Sequence, residues 1–149
     1  TIRDSYASII HALEHAGIAM NSNVEIKWIE TTKVNDGNAE EHLSGVDGII
    51  VPGGFGTRGV EGKISAVKYA RENDLPYLGI CLGFQMAVIE YARNVVGLEK
   101  ANSTEIDPDC AEPVIDILPE QKEIEGLGGN MRLGGRDGEL KPGTRAWEI

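Results

Sequence analysis

Apolar residues recur along the chain in two rhythms, one helical and one strand-like. From Asp4 onward, Tyr6, Ile9, Ile10, Leu13 and Ala16 fall on one face at helical spacing, with Asp4 placed as the N-cap and Gly17 near the end. Val24-Glu25-Ile26-Lys27-Trp28 alternates like a strand. The stretch from Thr31 to Ser44 is polar; Asn35 to Asn38 reads as a turn and Ala39 to Leu43 as a short helix. The apolar run Gly48 to Val51 predicts a core strand, followed by the glycine turn Pro52-Gly53-Gly54-Phe55-Gly56. A helix follows from Val60 to Glu72 with Ile64, Val67, Tyr69 and Ala70 inward. Asn73 to Pro76 is a turn, and Pro76-Tyr77-Leu78 opens the next strand. From Met86 to Val96 the apolar positions Met86, Val88, Ile89, Tyr91, Ala92 and Val95 again keep helical spacing. Strand, turn, helix, repeated, predicts parallel strands joined by right-handed crossovers.

Beyond Gly97 the texture changes. Pro113 to Leu118 reads as a strand, and the glycine-rich stretch Gly126 to Gly143 predicts short antiparallel strands and loops. In a wound α/β domain the first helix normally follows a strand, which is expected before Thr1. The 149 residues, 41% of them hydrophobic, amount to one domain with a sizeable core, expected to be partial at both ends. A net charge of −10 argues against nucleic acid or an anionic membrane as partner. Two cysteines do not make a disulfide framework, and no apolar run reaches the ~18 residues a membrane span needs. A cytoplasmic enzyme is the simplest class.

The chemistry concentrates at Gly79-Ile80-Cys81-Leu82-Gly83-Phe84-Gln85. An arbitrary cysteine is most often a small buried hydrophobe. Here Cys81 stands between a predicted strand and a predicted helix, with a glycine two residues to either side, the frame of a tight strand-to-helix elbow. The elbow lifts the sulfur clear of the sheet beside a helix N-terminus, where peptide dipoles favour thiolate. Parallel neighbouring strands would deliver the Pro52 to Gly56 turn to the same sheet edge, so that glycine turn faces the thiol. Acyl transfer needs backbone N–H groups aimed at a developing oxyanion, and the amides of Gly54 and Leu82 are the natural pair.

The two turns together resemble the class I (triad-type) glutamine amidotransferases. Asp4-Ser5-Tyr6, Ala101-Asn102-Ser103-Thr104-Glu105 and Gly128-Gly129-Asn130-Met131-Arg132-Leu133-Gly134 narrow the resemblance to the glutaminase domains of the CTP synthase family, over nearly the whole chain. The resemblance implies a flavodoxin-like wound parallel sheet with flanking helices, and hydrolysis of L-glutamine through a γ-glutamyl thioester on Cys81. It implies that glutamine is held by Gly54, by Leu82, Gly83, Phe84 and Gln85, and by Glu105, whose carboxylate suits the substrate ammonium. Arg58 and Glu61 match positions that help GTP activate the glutaminase, and Arg132 could touch the same nucleotide. Ammonia would pass to a synthase (amidoligase) domain that uses ATP and Mg2+ to aminate UTP. That domain would also carry homo-oligomerisation. No cofactor or metal is expected in the glutaminase domain itself. Phe84 departs from the pattern, since methionine is frequent there, and its apolar bulk suits either.

A cysteine glutaminase also needs a general base and a carboxylate to orient it. The only histidines are His11, His15 and His42; the first two read as surface residues of the first helix rather than a metal pair, and His42 belongs to the polar connection. The family's base lies in a His-Pro-Glu motif that nothing here matches, so it is expected beyond Ile149, and these residues alone are expected to turn over little glutamine. An amidotransferase domain of another biosynthetic enzyme, a PfpI-type peptidase and a non-catalytic glutamine-binding module are the competing readings. The peptidase group usually carries a histidine directly after the nucleophile, where Leu82 stands.

Overall fold

The computed structural model describes residues 3–117 and 137–148. They divide between two compact units, Thr1–Ile117 and Leu118–Ile149. The first unit carries helix α1 (Ala7–Ala19), the short helix α2 (Ala39–Leu43), strand β1 (Ile49–Val51), helix α3 (Val60–Glu72), strand β2 (Tyr77–Gly79), helix α4 (Leu82–Tyr91), and strands β3 (Ala101–Ser103) and β4 (Glu112–Ile115). In the second, residues 137–141 are irregular and helix α5 spans Arg145–Glu148. Most of the glycine-rich stretch, residues 126–136 with Arg132 among them, lies outside the described residues.

β1 and β2 run parallel with Ile49 opposite Tyr77 and Val51 opposite Gly79. The crossover between them is α3, as the repeated strand-turn-helix order predicts. α3 has the predicted bounds, and buries Val60, Ile64, Ala66, Val67 and Ala70, while Tyr69 is half-buried. Val60, Ile64 and Val67 meet Leu82, Met86 and Ile89 of α4 in the main core, with Tyr77, Ile106, Val114 and Ile115 packed around it. A second cluster joins Val34, Ala39, Leu43 and Ala66. One buried polar group crosses the α3–α4 contact. Glu90, 1% exposed, accepts a bifurcated hydrogen bond from Arg71 Nε, 3.1 Å from each carboxylate oxygen, one from Arg71 Nη2 at 2.8 Å, and a further one from Asn94.

Several readings are corrected by the structure. Asp4 does not cap α1: residues Arg3–Tyr6 form a 3-10 turn, and Tyr6 stands at the cap position without a side-chain bond. Val24 to Trp28 does not enter a ladder among the described residues, and both Val24 and Trp28 stay exposed. The nucleophile helix, whose apolar spacing runs over Met86 to Val96, starts at Leu82 directly after the elbow, and its last turn, Ala92–Val96, widens to a π-helix. The polar run Ala101–Ser103 is a strand, parallel to β4, although it carries no strand-like alternation. The strand expected over Pro113 to Leu118 is observed as Glu112–Ile115, with Leu118 outside the described residues.

On α1 only Gly17 is buried; Tyr6, Ile9, Ile10 and Leu13 are half-buried, and Ala16 and Ile18 face solvent. Between that helix, residues 23–30 and the β1–β2 pair runs a groove of about 1280 Å³, lined by Ile9, Leu13, Ile26, Ile50 and Leu78 among others.

Candidate active site

Cys81 sits where β2 turns into α4, with φ 53° and ψ −110°, a positive φ that a side-chain-bearing residue adopts only when its surroundings insist. Those surroundings explain the two flanking glycines. A Cβ on Gly79 would stand 2.5 Å from the Gly83 carbonyl carbon and the Phe84 amide nitrogen. A Cβ on Gly83 would run into the Val51 carbonyl oxygen of the neighbouring strand. The elbow is further pinned by Ile80 N–H donating to Val51 O at 2.9 Å and Gly83 N–H donating to Ile80 O at 2.9 Å. Its thiol is exposed, clear of the sheet as the frame predicts.

The glycine turn after β1 does face it. A Cβ on Gly53 would lie 3.4 Å from Cys81 Cβ and 4.0 Å from its Sγ, and one on Gly54 would touch Leu82 Cδ2 at 3.7 Å. Gly53 and Gly54 therefore run alongside Cys81 and Leu82. Leu82 is the first residue of α4, so its N–H is one of the first-turn amides without an intrahelical acceptor. Its side chain is buried in the core, leaving the backbone as what it can offer a ligand. Phe84 is 61% exposed and Gln85 half-buried on the same turn. Tyr77 on β2 donates from its hydroxyl to the Gly83 carbonyl at 2.7 Å, and burial pushes its ionisation well above the ordinary phenol range.

Glu105 follows β3. Its N–H donates to the hydroxyl of fully buried Ser103 at 3.2 Å, and the next residue, Ile106, packs against the cluster that holds Leu82 and Met86. The loop bearing Glu105 is thereby seated on the nucleophile helix. Arg58 is exposed and paired with Glu30 at 3.5 Å. Glu61 is paired with Arg93 at 2.9 Å, and Arg93 Nε donates to the Ala101 carbonyl at 2.7 Å. Arg93 and Tyr77 were not marked by the sequence: an arginine on a helix and a tyrosine in a strand carry no pattern that discloses a bond to a backbone carbonyl.

Cys110 is half-buried; that burial, and then the carboxylates of Asp107 and Asp116, push its thiol up. His11 and His15 are exposed on α1 and His42 half-buried on α2, so none stands on the elements that build the elbow. Among the described residues no cluster of three or more His, Cys, Asp or Glu could hold a metal ion, and no helix is long and apolar enough to cross a membrane.

A family model described as glutamine amidotransferase class-I matches residues 1–146. The chain belongs to the class I glutamine amidotransferase family. It is 56% identical over 149 residues to a CTP synthase of Staphylococcus carnosus and 58% identical over 146 residues to one of Bacillus subtilis, covering 100% and 98% of this chain. It spans 28% and 27% of those two relatives' lengths. A solved glutaminase domain of Trypanosoma brucei CTPS, with bound acivicin, is 41% identical and superposes with a TM-score of 0.75 over 79% of this chain and 46% of that one. The parallel strands with flanking helices are those of that glutaminase fold.

Proposed function

We propose that this chain is the nucleophile-bearing part of a CTP synthase glutaminase domain, with Cys81 as the attacking group. The observation that carries the reading is the strained, exposed Cys81 facing the Gly53–Gly54 turn, in a chain similar along its length to CTP synthases. The thiolate of Cys81 attacks the carboxamide carbon of glutamine. The oxyanion that forms is met by the N–H groups of Gly54 and Leu82. Collapse of the tetrahedral intermediate breaks the C–N bond, ammonia leaves with a proton returned by the general base, and water then hydrolyses the thioester to glutamate. Glu105 binds the substrate ammonium; the Gly83–Phe84–Gln85 turn holds the rest of the substrate. The base and its carboxylate come from a further part of the polypeptide, as does the first strand of the sheet; the chain's three histidines lie on α1 and α2.

In the whole protein the ammonia passes to a synthase domain that uses ATP and Mg2+ to aminate UTP, that carries the homo-oligomer contacts, and that works in the cytoplasm. GTP acts as activator through Arg58 and Glu61, which lie just after the oxyanion turn; its approach exchanges their present partners, Glu30 and Arg93.

The test is ammonia release from glutamine by the full-length protein. Cys81→Ser should abolish it. Gly54→Val should lower kcat by ~10²–10³ while leaving the fold intact, because a Cβ there meets only Leu82 at ordinary contact distance but crowds the oxyanion site. Glutamine binding without hydrolysis would instead identify a binding module, and near wild-type turnover in the Gly54 variant would remove the turn from the mechanism.

A further inference from the structure

Tyr77 precedes Cys81 by four residues, and its hydroxyl reaches across the elbow to the Gly83 carbonyl on the first turn of α4, at 2.7 Å. Its ring packs against the main core cluster, so the hydroxyl is delivered from a fixed body. Burial keeps the phenol protonated, and therefore a donor, across the neutral range. The two limbs of the elbow also touch at Gly79, whose missing Cβ would collide with the Gly83 carbonyl carbon. Two independent contacts thus converge on the Gly83–Phe84 peptide unit, two residues past the strained cysteine on the first turn of α4. A positive φ at a residue with a side chain persists only where neighbouring structure over-determines it. β2 ends at Gly79 and α4 begins at Leu82, so the hydroxyl bond is a side-chain tie between strand and helix, added to the backbone bond from Gly83 N–H to Ile80 O.

We propose that Tyr77 is a positioning residue for the nucleophile: its hydroxyl, bonded to the Gly83 carbonyl, holds the elbow closed and keeps Cys81 in the strained conformation that presents Sγ beside the Gly53–Gly54 turn. It touches neither substrate nor the reacting atoms. The proposal rests on the reading of Cys81 as the glutaminase nucleophile, and its test separates the two.

Tyr77→Phe in the full-length protein keeps the ring and deletes the hydroxyl. The Gly83 carbonyl keeps its place in the α4 ladder and loses the tie to β2, an effect that lowers kcat for glutamine hydrolysis by about 5- to 50-fold, with KM within about twofold of wild type. A second readout needs no turnover: the rate at which iodoacetamide labels Cys81 falls by a similar factor relative to Cys110, which is remote in sequence and serves as the internal reference. Tyr69→Phe, a half-buried tyrosine on α3, is the control and leaves both readouts unchanged. Unchanged kcat together with an unchanged Cys81-to-Cys110 labelling ratio overturns the proposal. So does loss of the folded state, or a large fall in melting temperature with kcat and KM moving together, since the hydroxyl is then simply structural. If the wild-type protein releases no ammonia, the glutaminase reading falls, and the labelling ratio still decides the role of Tyr77.

Discussion

At the scale of single residues, the two thiols are in opposite situations. Cys81 is exposed at the head of α4, while Cys110 is half-buried with Asp107 and Asp116 pushing its thiol up. Near pH 7 a glutamine-like alkylating reagent should therefore label Cys81 first, with Cys110 the slower thiol. Peptide mapping decides it: label chiefly on Cys110 at neutral pH would sink the assignment of the nucleophile. The frame around Cys81 was legible in the sequence because each glycine answers a steric fact, Gly79 against Gly83 and Gly83 against Val51. The bonds from Tyr77 and Arg93 were not, because they end on main-chain carbonyls of residues chosen by the fold. Asp4 misled for a related reason: a good capping residue caps only if the chain enters the helix there, and a 3-10 turn intervenes.

At the scale of elements, α3 and α4 set the distance between the glycine turn and the elbow. Their apolar contact is legible from helical spacing, and the bounds of α3 follow the pattern residue for residue. What locks them is the Arg71–Glu90 pair, with a carboxylate only 1% exposed. Breaking such a pair from one side strands a buried charge, so Arg71→Met should cost about 3–5 kcal/mol of stability. Glu90→Gln, which keeps the volume and an acceptor for Arg71, should cost less. Equal melting temperatures for wild type and Arg71→Met in a thermal scan would show that the pair carries no net stability. The short parallel strands divide the same way. β1 and β2 are apolar enough to be seen, whereas Ala101–Ser103 becomes a strand only because β4 and the nucleophile helix lie beside it, a tertiary override of weak local preference. Val24 to Trp28 shows the converse, an alternating segment that joins no strand among the described residues.

At the scale of the whole molecule, that alternating segment and α1 stand on one side of the groove of about 1280 Å³, and β1 with β2 on the other. Ile9, Leu13, Ile26 and Ile50 line it, and α1 buries only Gly17. An apolar face of this kind in a wound α/β domain is where another strand adds its backbone to the sheet and its side chains to both layers. Covering several hundred Å² of apolar surface at ~25 cal/mol per Å² is comparable to the whole ~5–15 kcal/mol margin of a domain. Expressed by itself, the 149-residue chain should therefore melt at low temperature with poor cooperativity and bind a hydrophobic dye such as ANS. A longer polypeptide of the length its CTP synthase relatives have should bind less dye per molecule and melt tens of degrees higher. Both are read from dye fluorescence and calorimetry on the two proteins side by side. A cooperative, high-temperature melt of the 149 residues with no dye bound would show that the groove is a self-sufficient feature of the fold and that no further strand is needed to close it.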